Sequence, residues 1–210
     1  MFTVNQLSQF STSPTTKQWT ALKHLLRYLK GMIKFNLSYK KSQSSSVISK
    51  LMRWEDADYA KDRDNCKYIS GYVVQVYENP VCWLSERQSV VGQSTTEAEF
   101  ISINICAKQM QWLSFVLRDL GQMIEKPTLF NYNSGAVIIL KQASLNTNTK
   151  HIEVRYQHLR DCVLKNLLNI IQVLKTQMIS DVLTKPLGVQ KLNEAYSQIH
   201  LEDPGRVLEN

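Results

Sequence analysis

Cysteine is scarce in this chain, and the four residues that occur are not spaced to hold a metal. Cys66, Cys82, Cys106 and Cys162 include no Cys-x-x-Cys pair and have no pair of histidines nearby, which excludes the usual zinc-binding patterns. Scattered free cysteines are typical of reduced thiols in an intracellular protein. We therefore expect unpaired, buried thiols and an intracellular location, with the cytoplasm and the nucleus both open.

Long apolar runs and a leader pattern are also absent. No hydrophobic stretch reaches the roughly 20 residues that cross a membrane. The N-terminus lacks the basic, apolar and small-residue order of a signal peptide. The sequence therefore predicts no membrane partner.

Size and composition favour a folded protein. The chain has 210 residues, which is enough for one domain with an appendage or for two small domains. Its hydrophobic content of 43% favours a folded globule over disorder. The net charge of +7 suits a polyanion such as nucleic acid, although many basic proteins bind none.

The order of helical and strand patterns predicts an α/β protein. Apolar residues at helical spacing give two helices before residue 32, with a break at Ser13–Thr16 and a stop at Gly31. A Ser-rich stretch at 42–46 is the candidate linker. We therefore expect a helical segment at 1–47, a larger α/β domain at 48–187 and a helical tail at 188–210.

The larger segment begins with three strand patterns that form an antiparallel meander. Ser94 and Glu97 form a capping-box pattern for a long helix that ends at Gly121. The predicted strands are Leu51–Asp58, Tyr68–Tyr77, Val81–Ser85, Thr128–Tyr132 and Ile170–Leu174, and further helices are predicted over Ala136–Lys141, Lys150–Lys165 and around Asp181. This order describes a mixed sheet with helices packed on it.

Three acidic residues are candidates for one site, although each has an ordinary explanation by itself. Asp56 shares a strand face with Asp58, and a carboxylate on a half-buried sheet needs a partner such as a metal ion unless it lies at an exposed strand end. Glu99, beside Glu97, lies in the first turns of the long helix, where an acid complements the helix dipole. Asp181 also fits the first turn of a short helix. Taken one at a time, these residues do not establish a site.

The segments that contain these acids occur in an order shared with a known family. The quoted segments are Asp56-Ala57-Asp58-Tyr59-Ala60, Ile69-Ser70-Gly71-Tyr72-Val73, Cys82-Trp83-Leu84-Ser85-Glu86-Arg87-Gln88, Gln93-Ser94-Thr95-Thr96-Glu97-Ala98-Glu99-Phe100, Thr149-Lys150-His151-Ile152-Glu153-Val154-Arg155-Tyr156 and Asp181-Val182-Leu183-Thr184-Lys185-Pro186-Leu187. Together they resemble the ribonuclease H domain of copia-type LTR retrotransposon Pol polyproteins. Val4–Phe10 and Leu26–Gly31 resemble the end of the family's reverse transcriptase, leading into the connection. The resemblance covers nearly the whole chain.

The resemblance implies a fold, a reaction and a set of site residues. The implied fold is ribonuclease H-like, a five-stranded mixed sheet flanked by helices and preceded by a two-helix remnant of the connection. The implied reaction is hydrolysis of the RNA strand of an RNA–DNA hybrid at two Mg²⁺ (or Mn²⁺) ions. By motif, Asp56, Glu99 and Asp181 are the catalytic, metal-binding carboxylates, with Asp56 bridging both ions.

One position departs from the family pattern in a way that bears on activity. The family carries its remaining Asp in a Cys-Asp-Asn-Gln-Ser-Ala segment, and Tyr132 stands at that Asp position here. A neutral phenol is a poor ligand for a hard cation. Strand alternation predicts that Asn131 and Asn133 point to the opposite face, so neither replaces the missing carboxylate. We therefore expect Tyr132 to border the three acids and hydrolysis to be impaired.

Three alternatives stay open on the sequence. An active nuclease is possible if Asp58 or Glu97 compensates. A binding module would keep the hybrid groove without the chemistry, with phosphate contacts from basic residues near the meander, namely Lys61, Arg63, Lys67 and Arg87. A relic without a role is the third.

Overall fold

A five-stranded sheet flanked by helices forms the centre of the computed structural model, which describes residues 1–41, 48–49, 51–59, 67–92, 94–141 and 153–205. The strands are β1 (Asn36–Leu37), β2 (Ile48–Ser49), β3 (Leu51–Tyr59), β4 (Tyr68–Val76), β5 (Asn79–Arg87), β6 (Met123–Ile124), β7 (Thr128–Asn131), β8 (Asn169–Gln172) and β9 (Leu201–Glu202). The helices are α1 (Phe2–Ser8), α2 (Thr16–Gly31), α3 (Thr95–Asp119), α4 (Ser134–Lys141), α5 (Glu153–Leu164), α6 (Asp181–Thr184) and α7 (Val189–Gln198). The stretch at 42–46, Lys61 and Arg63 lie outside the described residues.

The predicted mixed sheet is confirmed. Its strand order is β5-β4-β3-β7-β8. β3, β4 and β5 form the expected antiparallel meander, whereas β7 and β8 run parallel to β3. β3 is therefore the central strand, with β4 on one side and β7 on the other.

One face of β3 packs against the long helix α3 and forms the main core. Alternation places Leu51 and Ala57 on this face, where Leu51 joins a cluster with Phe100 and Ile103 and Ala57 packs against Ala98. α3 begins at the predicted cap, because the Ser94 side chain accepts the Glu97 backbone N–H at 3.1 Å.

The helix α3 also ends as predicted. Its last residue is Asp119, and Gly121 follows with a φ of +75°, the left-handed conformation that glycine adopts without strain. No described helix is long and apolar enough to cross a bilayer. The described cysteines, Cys82, Cys106 and Cys162, are free, and the last two are buried.

The opposite face of β3 packs against the short helix α6. Trp54 lies on this face, against a small apolar cluster that includes Ile179 and Leu183. Gly71 on β4 allows the approach, since a Cβ there would lie 2.5 Å from Thr184 Cγ2 and 3.0 Å from Leu183 Cβ. The absence of a side chain at Gly71 thus sets how close α6 comes to the sheet.

The first residues form two helices, as the sequence predicts, and they contact the sheet. Thr15 caps α2 together with Gln18. The Asn5 side chain donates a hydrogen bond to the Ser85 carbonyl of β5. β1 pairs antiparallel with β9, so the segment at 1–47 contacts the tail at 188–210. The division at residues 47 and 187 stays a prediction.

Candidate acidic site

The structure buries all three predicted acids at one end of the sheet. Asp56, Glu99 and Asp181 are 0%, 1% and 3% exposed. Asp56 comes from β3, opposite Gly71 of β4; Glu99 comes from the first turns of α3, and Asp181 is the first residue of α6. Asp56 lies between α3 and α6, the helices that carry the other two acids.

The charges of these acids act on one another. Burial raises the pKa of Glu99 well above its usual range, and the neighbouring charges of Glu55 and Asp56 raise it further. Burial also raises the pKa of Asp181, and the charge of Asp56 adds to that effect. Asp56 therefore interacts with both of the other acids.

Lys185 lies between Asp56 and Asp181. Its Nζ is 3.1 Å from Asp56 Oδ2 and 2.8 Å from Asp181 Oδ1. The Thr184 hydroxyl donates to the same Asp56 oxygen. Burial lowers the pKa of Lys185, but the two carboxylates outweigh burial and the pKa is raised overall. Lys185 is thus a charged partner of both acids.

Tyr132 borders the acids at the position where the family pattern has an aspartate. It is half-buried, and its hydroxyl is hydrogen-bonded to Glu99. Burial, followed by the charges of Glu99 and Asp56, raises the pKa of Tyr132. The ammonium groups of Lys175 and Lys185 lie 5.5 Å and 5.9 Å from its ring centroid. The phenol is therefore neutral, its hydroxyl is bonded to Glu99, and its ring is flanked by two ammonium groups.

Asn131 contacts two acids of the group, although it lies, as strand alternation predicts, on the sheet face of Leu129 and opposite to Phe130. Its Nδ2 donates to Glu55 Oε2 at 2.6 Å and to Glu99 Oε2 at 3.0 Å. β7 ends at Asn131, where the Asn131 Oδ1 accepts the Asn133 N–H at 2.6 Å. Glu99 is therefore bonded by both Asn131 and Tyr132.

Sequence reasoning did not find Glu55 as part of this group. Glu55 is fully buried, and its pKa is raised to about 8, mainly by this burial. The charge of Asp56 also raises the pKa, whereas hydrogen bonds from Ser102 and Asn131 lower it. Arg53, two residues earlier and also fully buried, stacks 3.6 Å from the Tyr72 ring centroid and attracts the Glu55 charge. The sequence did contain a signal for this buried pair, because an arginine and an acid occupy alternate positions, and so the same face, of a central strand.

Lysines other than those predicted lie around the acids. Lys67 donates to the Ser89 carbonyl at 2.8 Å, and Arg87 donates to Gln9 Oε1 at 3.1 Å. Lys175 and Lys191, by contrast, line a small depression together with Asp181. Among the described residues, Lys175, Lys185 and Lys191 thus place positive charge beside Asp181 or Tyr132.

The side chains as arranged do not fit the two divalent ions that the resemblance implies. Within the described ranges, no three His, Cys, Asp or Glu side chains are grouped to hold a metal ion. The Lys185 ammonium contacts one oxygen of each of Asp56 and Asp181, and Tyr132 binds Glu99. Glu55 Oε1, Asp56 Oδ1 and Asp181 Oδ1 are buried oxygens without a hydrogen-bond partner. Asp181 Oδ1 is in ion-pair contact with Lys185, and the three described side chains are not grouped around one ion position.

Comparisons with known proteins identify relatives over most of the chain. The retrovirus-related Pol polyproteins from transposons RE2 and RE1 of Arabidopsis thaliana are each 34% identical over 188 residues, or 89% of this chain. The Pol polyprotein from transposon TNT 1-94 of Nicotiana tabacum is 33% identical over 182 residues, or 87% of this chain. The chain spans 13% of the length of each of these relatives. No protein-family model matches it.

A solved structure shows the same fold. LC11-RNase H1, isolated from compost, matches with a TM-score of 0.50 over 71% of this chain and 96% of that chain. The sequence identity is 14%, so the likeness concerns the fold alone.

Proposed function

We propose that this chain binds RNA–DNA hybrids and cleaves their RNA strand weakly or not at all. The proposal is supported by its homology to copia-type retrotransposon Pol polyproteins and by its ribonuclease H-like fold. The ancestral activity is hybrid hydrolysis, and the impairment lies in the acidic site. The chain covers only a small part of its relatives, so the proposal concerns this domain and not a whole polyprotein.

The observation that carries the impairment is Tyr132. Two-metal hydrolysis requires several carboxylates, because one ion activates water while the other stabilises the leaving oxygen. Tyr132 supplies no charge, and its hydroxyl is bonded to Glu99, one of the candidate ligands. Loss of an essential catalytic group commonly lowers the rate by several powers of ten.

Binding of the hybrid is supported by the charges around the acids. Lys175 and Lys191 are exposed beside Asp181, and Lys175 also lies over the Tyr132 ring. Lysines in such positions contact phosphates and give affinity that depends on salt but not on sequence. The net charge of +7 acts in the same direction.

An active nuclease is the second candidate. Asp56, Glu99 and Asp181 are all present, buried and in electrostatic contact. If Mg²⁺ or Mn²⁺ is bound when the hybrid binds, these three would be its ligands and catalytic groups. This candidate requires Lys185 and Tyr132 to leave their present partners.

Cleavage of a labelled RNA–DNA hybrid distinguishes the two candidates. We expect little or no product from the parent with Mg²⁺ or Mn²⁺, and a gain of at least about 100-fold in Tyr132→Asp, since restoring an essential group restores part of a large rate loss. Tyr39→Asp, at an exposed tyrosine, is the matched control and should gain nothing. Parent activity that Asp56→Asn abolishes would establish the active nuclease instead.

Hybrid binding is tested separately by its salt dependence. We expect the affinity for the hybrid to fall steeply between low and moderate salt. The slope of the logarithm of the binding constant against the logarithm of the salt concentration should decrease in size by about 1 in Lys175→Ala and in Lys191→Ala, because each variant loses one phosphate contact. Lys108→Ala, at an exposed position on α3, is the control. An affinity that does not change with salt would disprove the binding role.

A further inference from the structure

We propose that Lys185 is the resident cation of the acidic site: its ammonium group takes the place of a divalent ion between Asp56 and Asp181 and keeps the free protein from binding one. The inference rests on the proposed function, in which the acidic site no longer carries out efficient metal-dependent cleavage. It adds a specific consequence, which is that the fold of this domain does not depend on metal.

The geometry of Lys185 is that of a bridging cation. Its Nζ lies 3.1 Å from Asp56 Oδ2 and 2.8 Å from Asp181 Oδ1, so one charge contacts both carboxylates. The Lys185 side chain is 16% exposed and the two aspartate side chains are 0% and 5% exposed. If the ammonium group moved away, the buried carboxylates would be left with uncompensated charge. Because that is unfavourable, the contact is stable.

The backbone also holds Lys185 in this place. Lys185 follows α6 and stands four residues after Asp181, the spacing at which side chains of a helical turn meet. Pro186 follows it and restricts it to extended conformations, and Lys185 has φ −147° and ψ 159°. α6 itself is fixed against the sheet at Gly71. The lysine is therefore positioned before any ligand arrives.

The hydrogen bond from Thr184 completes the arrangement. Its hydroxyl donates to Asp56 Oδ2, the oxygen that Lys185 also contacts. A divalent ion at that oxygen would have to displace the ammonium group, because both are cations and both would occupy the same position. Without the lysine, Asp56 and Asp181 would face each other with no counter-charge, and a hard cation would be favoured there.

Metal binding to the free 210-residue protein tests this inference without nucleic acid. The parent is titrated with Mn²⁺ by electron paramagnetic resonance, and its thermal unfolding is compared in EDTA, Mg²⁺ and Mn²⁺. We expect the parent and Asp56→Asn to show the same Mn²⁺ titration, so that no binding is assigned to the acidic site. We also expect the parent to have the same Tm in all three solutions. Mn²⁺ binding by the parent that Asp56→Asn abolishes would overturn the inference.

Lys185→Gln tests the converse. We expect a lower Tm than the parent in EDTA and a rise of about 4 °C in Mn²⁺ at about ten times the Kd. The rise should vanish in the Asp56→Asn, Lys185→Gln double variant. Lys108→Gln, at an exposed position on α3, should behave as the parent does. A folded Lys185→Gln protein that gains no response to Mn²⁺ would also overturn the inference.

Two further outcomes keep the tests separate. If Lys185→Gln is unfolded in EDTA, refolding on addition of Mn²⁺ supports the inference, and failure to refold leaves the parent titration to decide. If the parent cleaves the hybrid but binds no Mn²⁺ by itself, the proposed function fails while the role of Lys185 in the free protein stands.

Discussion

Each buried carboxylate of the site has its own kind of partner. Glu55 and Glu99 share the amide of Asn131, whereas Asp56 and Asp181 share the ammonium of Lys185. Burying an acid is unfavourable unless it is paired or loses its charge. Burial raises the pKa values of Glu55 and Glu99, which form the neutral half of the site. The other half is the pair of aspartates bridged by the Lys185 ammonium group.

The neutral half predicts a dependence of stability on pH. Burial raises the pKa of Glu55 from 4.5 to about 8, so the folded protein binds a proton that the unfolded chain releases above pH 4.5 or so. This stabilisation is complete below the unfolded pKa and is lost as the pH rises through about 8. We expect the free energy of unfolding to fall by on the order of 3 kcal/mol between pH 5 and pH 8, measured by urea denaturation.

Glu55→Gln is the variant that isolates this effect. It keeps a hydrogen-bonding group but has no proton to lose, so its stability should vary less with pH than that of the parent. Glu86→Gln, at an exposed position on β5, should keep the parent's pH dependence. An unchanged slope in Glu55→Gln would mean that Glu55 is ionised in the folded protein.

The residues of the site differ in how far the sequence could predict them. Asp56, Glu99 and Asp181 lie in long segments that resemble a family, and the sequence predicts them as a group, although their role as metal ligands stays a prediction. Asn131 and Lys185 act through contacts with residues far away in the chain, such as the 76 residues between Asn131 and Glu55. Local patterns carry no information about such contacts.

At the scale of helices and strands, local patterns were sufficient for the main elements. Local strand patterns predicted β3, β4 and β5, and the cap at Ser94 predicted the start of α3, because these signals depend on neighbours in the sequence. β7 ends one residue earlier than predicted. The Asn131 side chain bonds the backbone two residues ahead, and this turn competes with the strand.

The contact between α6 and the sheet gives a prediction at this scale. Gly71→Ala would place a Cβ 2.5 Å from Thr184 Cγ2, so α6 must shift away and take Asp181 and Lys185 with it. We expect a loss of about 1–3 kcal/mol in the free energy of unfolding, measured by urea denaturation. The Lys185 ammonium should also become more accessible to acetylating reagents.

Gly31→Ala is the matched control for this change. Gly31 is the last residue of α2, and a Cβ there meets nothing within 4 Å. The substitution should be neutral or stabilise by up to about 1 kcal/mol, because alanine favours a helix over glycine. A Gly71→Ala protein as stable as this control would show that α6 tolerates the displacement.

At the scale of the whole molecule, the three predicted segments are joined by specific contacts. β1 pairs with β9, the hydroxyls of Tyr28 and Tyr196 are hydrogen-bonded, and the Gln75 side chain donates to the Gln198 carbonyl at 3.1 Å. The segment at 1–47, the sheet and the tail therefore share contacts, which the sequence could not predict because all of them are long-range.

These contacts predict that the chain unfolds as one unit. We expect a single transition that coincides when followed by tryptophan fluorescence and by far-ultraviolet circular dichroism. Removal of residues 188–210 should lower the Tm by several degrees, since it deprives β1 and α2 of their partners. Two separate transitions in the full chain, with the first unaffected by the truncation, would contradict this expectation and support independent segments.

The distance along the chain between Asp56 and α6 has a consequence for the order of folding. Neighbouring strands β3, β4 and β5 close short loops, whereas Thr184 reaches Asp56 across 128 residues. Short loops close before long ones in the folding of most small domains. We therefore expect the meander β3–β5 to form first and the buried carboxylates to be enclosed later. In the pH series, the rate of unfolding should rise with pH while the rate of folding stays nearly constant.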